Sequence, residues 1–91
     1  MSKKIFKYEL QIKDLNKVIM KKGAEVLSIQ TQNEIACIWA LVDPYEIDEN
    51  RFFEIFGTGN IVPQNSFRKF IGTFQLSGGL LVYHCFELLK P

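Results

Sequence analysis

A mainly β, antiparallel domain is what this sequence predicts, and three observations lead there. Apolar and polar residues alternate from the start, with Phe6, Tyr8, Leu10 and Ile12 on one strand face and Lys7, Glu9, Gln11 and Lys13 on the other. No segment repeats apolar residues at i, i+3, i+4 and i+7 over three turns, which removes a long helix. The links between apolar runs are short and rich in turn residues, and short links join antiparallel neighbours. The expected architecture is a compact antiparallel sheet or small barrel of about six or seven strands, a β-rich α+β fold at most.

Residues 6–12 form the first expected strand. Asp14-Leu15-Asn16-Lys17 reads as a turn, Val18 to Met20 as a short apolar piece and Lys21-Lys22-Gly23 as a break. A second long strand is expected over 25–32, with Leu27, Ile29 and Thr31 on one side, and a tight turn follows at Gln32-Asn33-Glu34. Residues 35–42 are apolar on both faces and of strand length, so this segment is the expected centre of the sheet. Asp43-Pro44 ends it, because proline supplies no ladder donor and biases its predecessor away from helical angles. The acidic stretch 45–50 suits a bend with a helical turn, 51–56 resumes a strand, and Gly57-Thr58-Gly59-Asn60 interrupts it. Residues 60–68 are the longest polar loop and the expected mobile segment. Strands over 69–76 and 79–89 complete the chain, joined by Ser77-Gly78-Gly79, whose glycines allow the positive φ of a hairpin link. Gly72, inside a strand, is expected to mark a bulge or the close approach of another backbone.

The composition fits one such domain and excludes several function classes. Ninety-one residues, 47% of them apolar, make one core, burying roughly 60–70% of the unfolded surface. A net charge of +1 argues against a histone-like nucleic-acid binder and against an acidic DNA mimic. The first 25 residues carry a net +4 and residues 34–54 a net −5, a division that suits either head-to-tail or two-fold self-association or charge balance on one surface. With so few strands, exposed edges favour a homo-oligomer. Two cysteines cannot staple a secreted domain, no export signal is visible, and no apolar run approaches the roughly 20 residues of a membrane span, so a cytoplasmic protein with reduced thiols is expected.

The residues offer little for catalysis. Cys37, His84 and Cys85 fall short of a four-ligand zinc site, and no other cofactor is implied. The stretch from Asp43 to Glu54 is no calcium loop, since Tyr45 and Ile47 occupy ligand positions and Asp48 the glycine position. Cys37 lies in the most apolar run, where a thiol behaves as a small hydrophobe. His84 is read as a structural histidine or a ligand contact. Phe56-Gly57-Thr58-Gly59-Asn60 is more informative: two permissive residues around a hydroxyl at a strand end can aim backbone N–H groups at an anion, with Arg51, Arg68 and Lys69 as cations nearby in sequence. Aromatic and basic residues interleave at Lys4–Tyr8 and Phe67–Phe70, but the low net charge makes nucleic acid an improbable partner.

The blocks Trp39-Ala40-Leu41-Val42-Asp43-Pro44, Phe56-Gly57-Thr58-Gly59, Phe70-Ile71-Gly72-Thr73-Phe74-Gln75-Leu76 and Gly78-Gly79-Leu80-Leu81-Val82-Tyr83-His84-Cys85-Phe86-Glu87 resemble a family of small bacteriophage and prophage proteins, a domain of unknown function. The likeness covers nearly the whole chain. It implies a bacterial host cytoplasm and, by analogy with β-rich phage oligomers that sequester nucleotide immune signals, a non-enzymatic protein that counters host defence. On that analogy Arg51, Arg68 and Lys69 would meet phosphates, Thr58, Asn60 and the Gly57 and Gly59 amides would complete the anion site, and Trp39 or Tyr83 would stack on a base. The competing expectation is a small β-rich protein-interaction module that binds a host or phage protein.

Overall fold

The computed structural model describes residues 2–64 and 67–89. Seven strands run β1 (Lys4–Glu9), β2 (Leu15–Lys21), β3 (Glu25–Gln32), β4 (Ile35–Val42), β5 (Asp48–Gly57), β6 (Arg68–Leu76) and β7 (Leu81–Leu88), with a short 3₁₀ turn at Ser77–Gly79. They form two antiparallel sheets, ordered β1-β4-β3 and β2-β5-β7-β6, and the ladders do not close into a barrel. Residues 65 and 66, within the stretch expected to be mobile, lie outside the described residues.

β4 is the centre of the three-stranded sheet because both of its faces are apolar. Ala36, Ile38, Ala40 and Val42 point into the core, while Cys37, Trp39 and Leu41 point the other way. From the other sheet, β5 contributes Phe53 and Ile55, β7 Cys85, β6 Phe74 and Leu76, and β2 Val18 and Met20. One apolar interior thus lies between the two inner faces, and the smallest dimension of the chain, 16 Å, is that of two layers.

Several boundaries depart from the sequence expectation, each for a local reason. The first strand ends at Glu9, short of Ile12, which is exposed. The expected turn at 14–17 instead opens β2, since Asn16 points inward and its buried amide exchanges two 3.0 Å hydrogen bonds with the backbone of Gln11. Asp43 makes the bend after β4, accepting from the Tyr45 N–H on its side chain and the Glu46 N–H on its carbonyl, and β5 begins already at Asp48 rather than after a helical turn. In β3 a bulge between Val26 and Ser28 breaks the alternation, so Val26 and Ile29 face the core while Leu27 is exposed.

The two sheets meet along β3 and β6, where the second bulge sits between Phe70 and Gly72. Gly72 lies in that seam: a Cβ there would stand 3.0 Å from Cγ2 of the buried Ile29. Charge is also distributed by the pairing. Because β2 lies beside β5, the basic and acidic segments neutralise each other within the chain, with Lys21 bridging to Asp48 at 3.0 Å and the Gly23 N–H donating to Glu49.

Both thiols are buried and free, and they do not face each other: Cys85 is in the core, whereas Cys37 points away from it and donates to the Ile35 carbonyl. Burial pushes the Cys85 thiol up to about 12, with the Glu87 carboxylate adding to the effect. Burial also raises Cys37, opposed by Lys7 and assisted by Glu9. Above its ordinary value of 9.0, the unfolded Cys85 releases a proton that the native state retains. Stability therefore falls by about 1.4 kcal/mol per pH unit between those two values from this group and is flat below them. Denaturant unfolding of the wild type and Cys85→Ala across that range checks this, since the variant lacks the Cys85 slope. In a second experiment, Gly72→Ala is expected to cost about 1–3 kcal/mol by overpacking the seam, and much less in an Ile29→Ala background. An equal cost in both backgrounds would remove the Ile29 contact as the cause.

Candidate functional site

The ten candidate residues separate into distinct places. Gly57, Thr58, Asn60 and Tyr83 come together at one end of the four-stranded sheet, around a cavity of about 510 Å³ that Leu80, Leu81 and Val82 complete. Gly57, Thr58, Gly59 and Asn60 form a turn closed by Asn60 N–H to Gly57 O at 3.1 Å, with Gly59 at φ +89°. Gly57 has to be small there: a Cβ would lie 3.0 Å from the Asn60 side-chain nitrogen and 3.8 Å from the Tyr83 ring. The Tyr83 ring is stacked on Phe74, centroids 5.7 Å apart, which fixes its plane.

Part of the turn's hydrogen-bonding capacity is used within the fold. The Thr58 N–H donates to the Val82 carbonyl at 3.1 Å and the Asn60 N–H is used within the turn, so two of its four backbone donors are taken. The Thr58 hydroxyl lies 3.2 Å from the Val82 carbonyl and 2.8 Å from Nε2 of His84, whose Nδ1 lies 2.9 Å from the Thr73 hydroxyl. His84 thus bridges β5's terminal turn to β6 across β7, on the face opposite Tyr83.

The three cations do not converge on this cavity. Arg51 projects into the interior side of β5, six residues and about 20 Å of extended strand from Gly57. Its guanidinium holds the buried Glu87 through two nitrogens and donates a third bond to the Ala24 carbonyl at 2.8 Å. That hydrogen bonding to Glu87, set against burial, raises the Arg51 pKa further. Arg68 crosses the outer face of β7 to pair with Glu54 through Nε at 2.6 Å and Nη2 at 3.3 Å, and lies 5.6 Å from the Phe56 ring centroid. Its pKa is raised by that hydrogen bonding. Lys69 makes no ion pair among the described residues and, with Arg51 and Glu87, borders a second cavity of about 420 Å³ at the far end of the sheet. Glu49 also lines it, so positive and negative groups balance there. Trp39 is half-buried on the outer face of the other sheet, between Lys7 and Ser28 on the neighbouring strands.

What the sequence reading missed is as specific as what it found. Leu80 and Leu81, exposed at the cavity mouth, fall within the strand expected over 79–89, and alternation alone does not mark them as cavity residues. Glu54 and Glu87 carry no signal as arginine partners, because the pairs span 14 and 36 positions. Among the described residues no group of three or more His, Cys, Asp or Glu is arranged to hold a metal ion, and no helix is long and apolar enough to cross a membrane.

Comparison with known proteins gives one match. The family model described as a domain of unknown function, DUF7352, matches residues 1–91, while no curated protein and no solved structure matches. Since the matched span takes in both sheets and both cavities, the chain belongs to the DUF7352 family, a domain of unknown function.

Proposed function

We propose that this chain is a non-enzymatic binding protein that sequesters a nucleotide-type small molecule, seated by its base in the cavity between the Gly57–Asn60 turn and Leu80–Tyr83. The observation that carries the reading is the mixture of groups around that cavity. An orientated Tyr83 ring, the Asn60 amide with no side-chain partner among the described residues, and the aliphatic Leu80 and Leu81 suit a planar heterocycle with polar edges. A volume of about 510 Å³ is within the range of small-molecule sites.

The phosphates then have a smaller part than the sequence alone suggested, because Arg51 and Arg68 are already held by carboxylates. Binding of this kind needs no bond to be made or broken, and it fits the protonated state in which burial keeps the thiols. In a phage setting, a protein made in excess over a signalling nucleotide would deplete the free signal and so blunt host defence.

Calorimetric titration with nucleosides, mononucleotides, cyclic dinucleotides and ADP-ribose tests the reading. At least one base-bearing ligand is expected to bind, and Asn60→Ala and Leu80→Ala, both exposed positions, are each expected to weaken it by about 5- to 100-fold. Lys69→Glu is expected to change it by less. No signal from any of these ligands would sink the reading and leave the protein-interaction module in its place.

A further inference from the structure

The face of the four-stranded sheet that points away from the core is aromatic. Strand register places Phe52 beside Leu88, and Leu15, Glu54, Phe86 and Phe70 in one row across all four strands. Phe86 is at the centre of a ring cluster, 5.8 Å from Phe56 and 5.3 Å from Phe70, both edge-on. These rings are outside the interior cluster, and the chain leaves 55% of Phe70 and 46% of Leu15 exposed. The outer face of the three-stranded sheet is different: around Trp39 it carries Lys7, Glu9, Glu25 and Gln30.

We propose that this aromatic face is an interface between two copies of the chain, packed sheet on sheet about a two-fold axis. Charge selects the occupant. Of the charged groups on the face, Glu54 and Arg68 satisfy each other with two hydrogen bonds and have side chains only 16% and 7% exposed, Lys21 and Asp48 pair at one end, and the exposed Lys17, beside Phe52, stands on the edge strand β2. Away from that edge lysine the face therefore has little charge for a partner of opposite sign to read, and two copies meet there without strong like-charge repulsion. Number selects it as well. One such face per chain makes an isologous contact that closes at two copies.

The size is adequate. Four strands by about seven residues give roughly 19 by 23 Å, or about 440 Å² in flat projection. Side-chain relief brings the accessible area toward the roughly 800 Å² per partner of a standard interface. Aligned packing of twisted sheets at about 30° is the ordinary geometry for two such faces.

Sedimentation velocity and light scattering at micromolar concentration test the proposal on the whole chain. The wild type is expected at twice the 10.5 kDa chain mass. Phe70→Asp, which places a charge on each side of the contact, is expected at the single-chain mass with an unchanged circular dichroism spectrum. Its association should be weaker by about 30-fold or more. If Phe70→Asp does not fold, Leu15→Asp serves as the second probe. Ile5→Asp, 59% exposed on the outer face of the other sheet, is expected to leave the dimer intact. A wild type at the single-chain mass, a Phe70→Asp or Leu15→Asp protein that remains dimeric, or a dimer that Ile5→Asp dissociates equally well would each overturn it. So would a wild type that stays monomeric alone and uses Phe70 only to hold an unrelated protein.

Discussion

The guanidinium of Arg51 holds three separate parts of the chain in one arrangement. From β5 it grips Glu87 on β7, and its remaining nitrogen reaches the carbonyl of Ala24, at the turn that leads into β3. One side chain therefore ties neighbouring strands of one sheet and anchors the entry to the other. A buried carboxylate is costly to desolvate, and this one is tolerated because both oxygens accept from a planar fork of matching shape. Because hydrogen bonding raises the Arg51 pKa, the pair keeps its cation throughout the range in which proteins are handled. No buried side-chain polar atom among the described residues is left without a partner.

The second arginine repeats the arrangement on the opposite face of the same sheet, where Arg68 and Glu54 close on each other with the guanidinium over the Phe56 ring. Together the two pairs convert the most conspicuous anion-binding candidates of the sequence into structural fasteners. The groups on which the proposed binding rests are of another kind: an aromatic plane, an amide and exposed leucines at one end of a sheet. Binding by shape and stacking is less sensitive to salt than binding by clustered cations.

Much of the fold was legible because strand alternation is a local signal. The two-faced apolar run at 35–42 identified the central strand, and the glycine inside a strand marked a bulge, beside which the close neighbour of Gly72 is the Ile29 side chain and not another backbone. The bulge at Leu27 was not legible, since Leu27, Ile29 and Thr31 alternate without a break and only the partner strand shows that one residue is extra. The division into two sheets was hidden for the same reason: β1 pairs with β4 and β2 with β5, choices that depend on which strands lie beside which. At the site, the turn and the ring were visible as residue types. The carboxylate partners of the arginines were not legible, because they are distant in sequence and local spacing says nothing about such pairs.

The strand order also governs the sequence of events when the chain is made. Only β3 with β4 and β6 with β7 are neighbours both in sequence and in a ladder, so these two hairpins can assemble as soon as they are synthesised. The strands made first have no such partner. β1 waits for residues 37–42 and β2 for residues 48–54, and until then their alternating apolar faces have nothing to cover them. Closing such long loops makes a fold slow for its size. The lysines that alternate with apolar residues along β1 and β2 thus have a use before the fold exists, keeping an early, unpaired segment soluble while its partners are still being added.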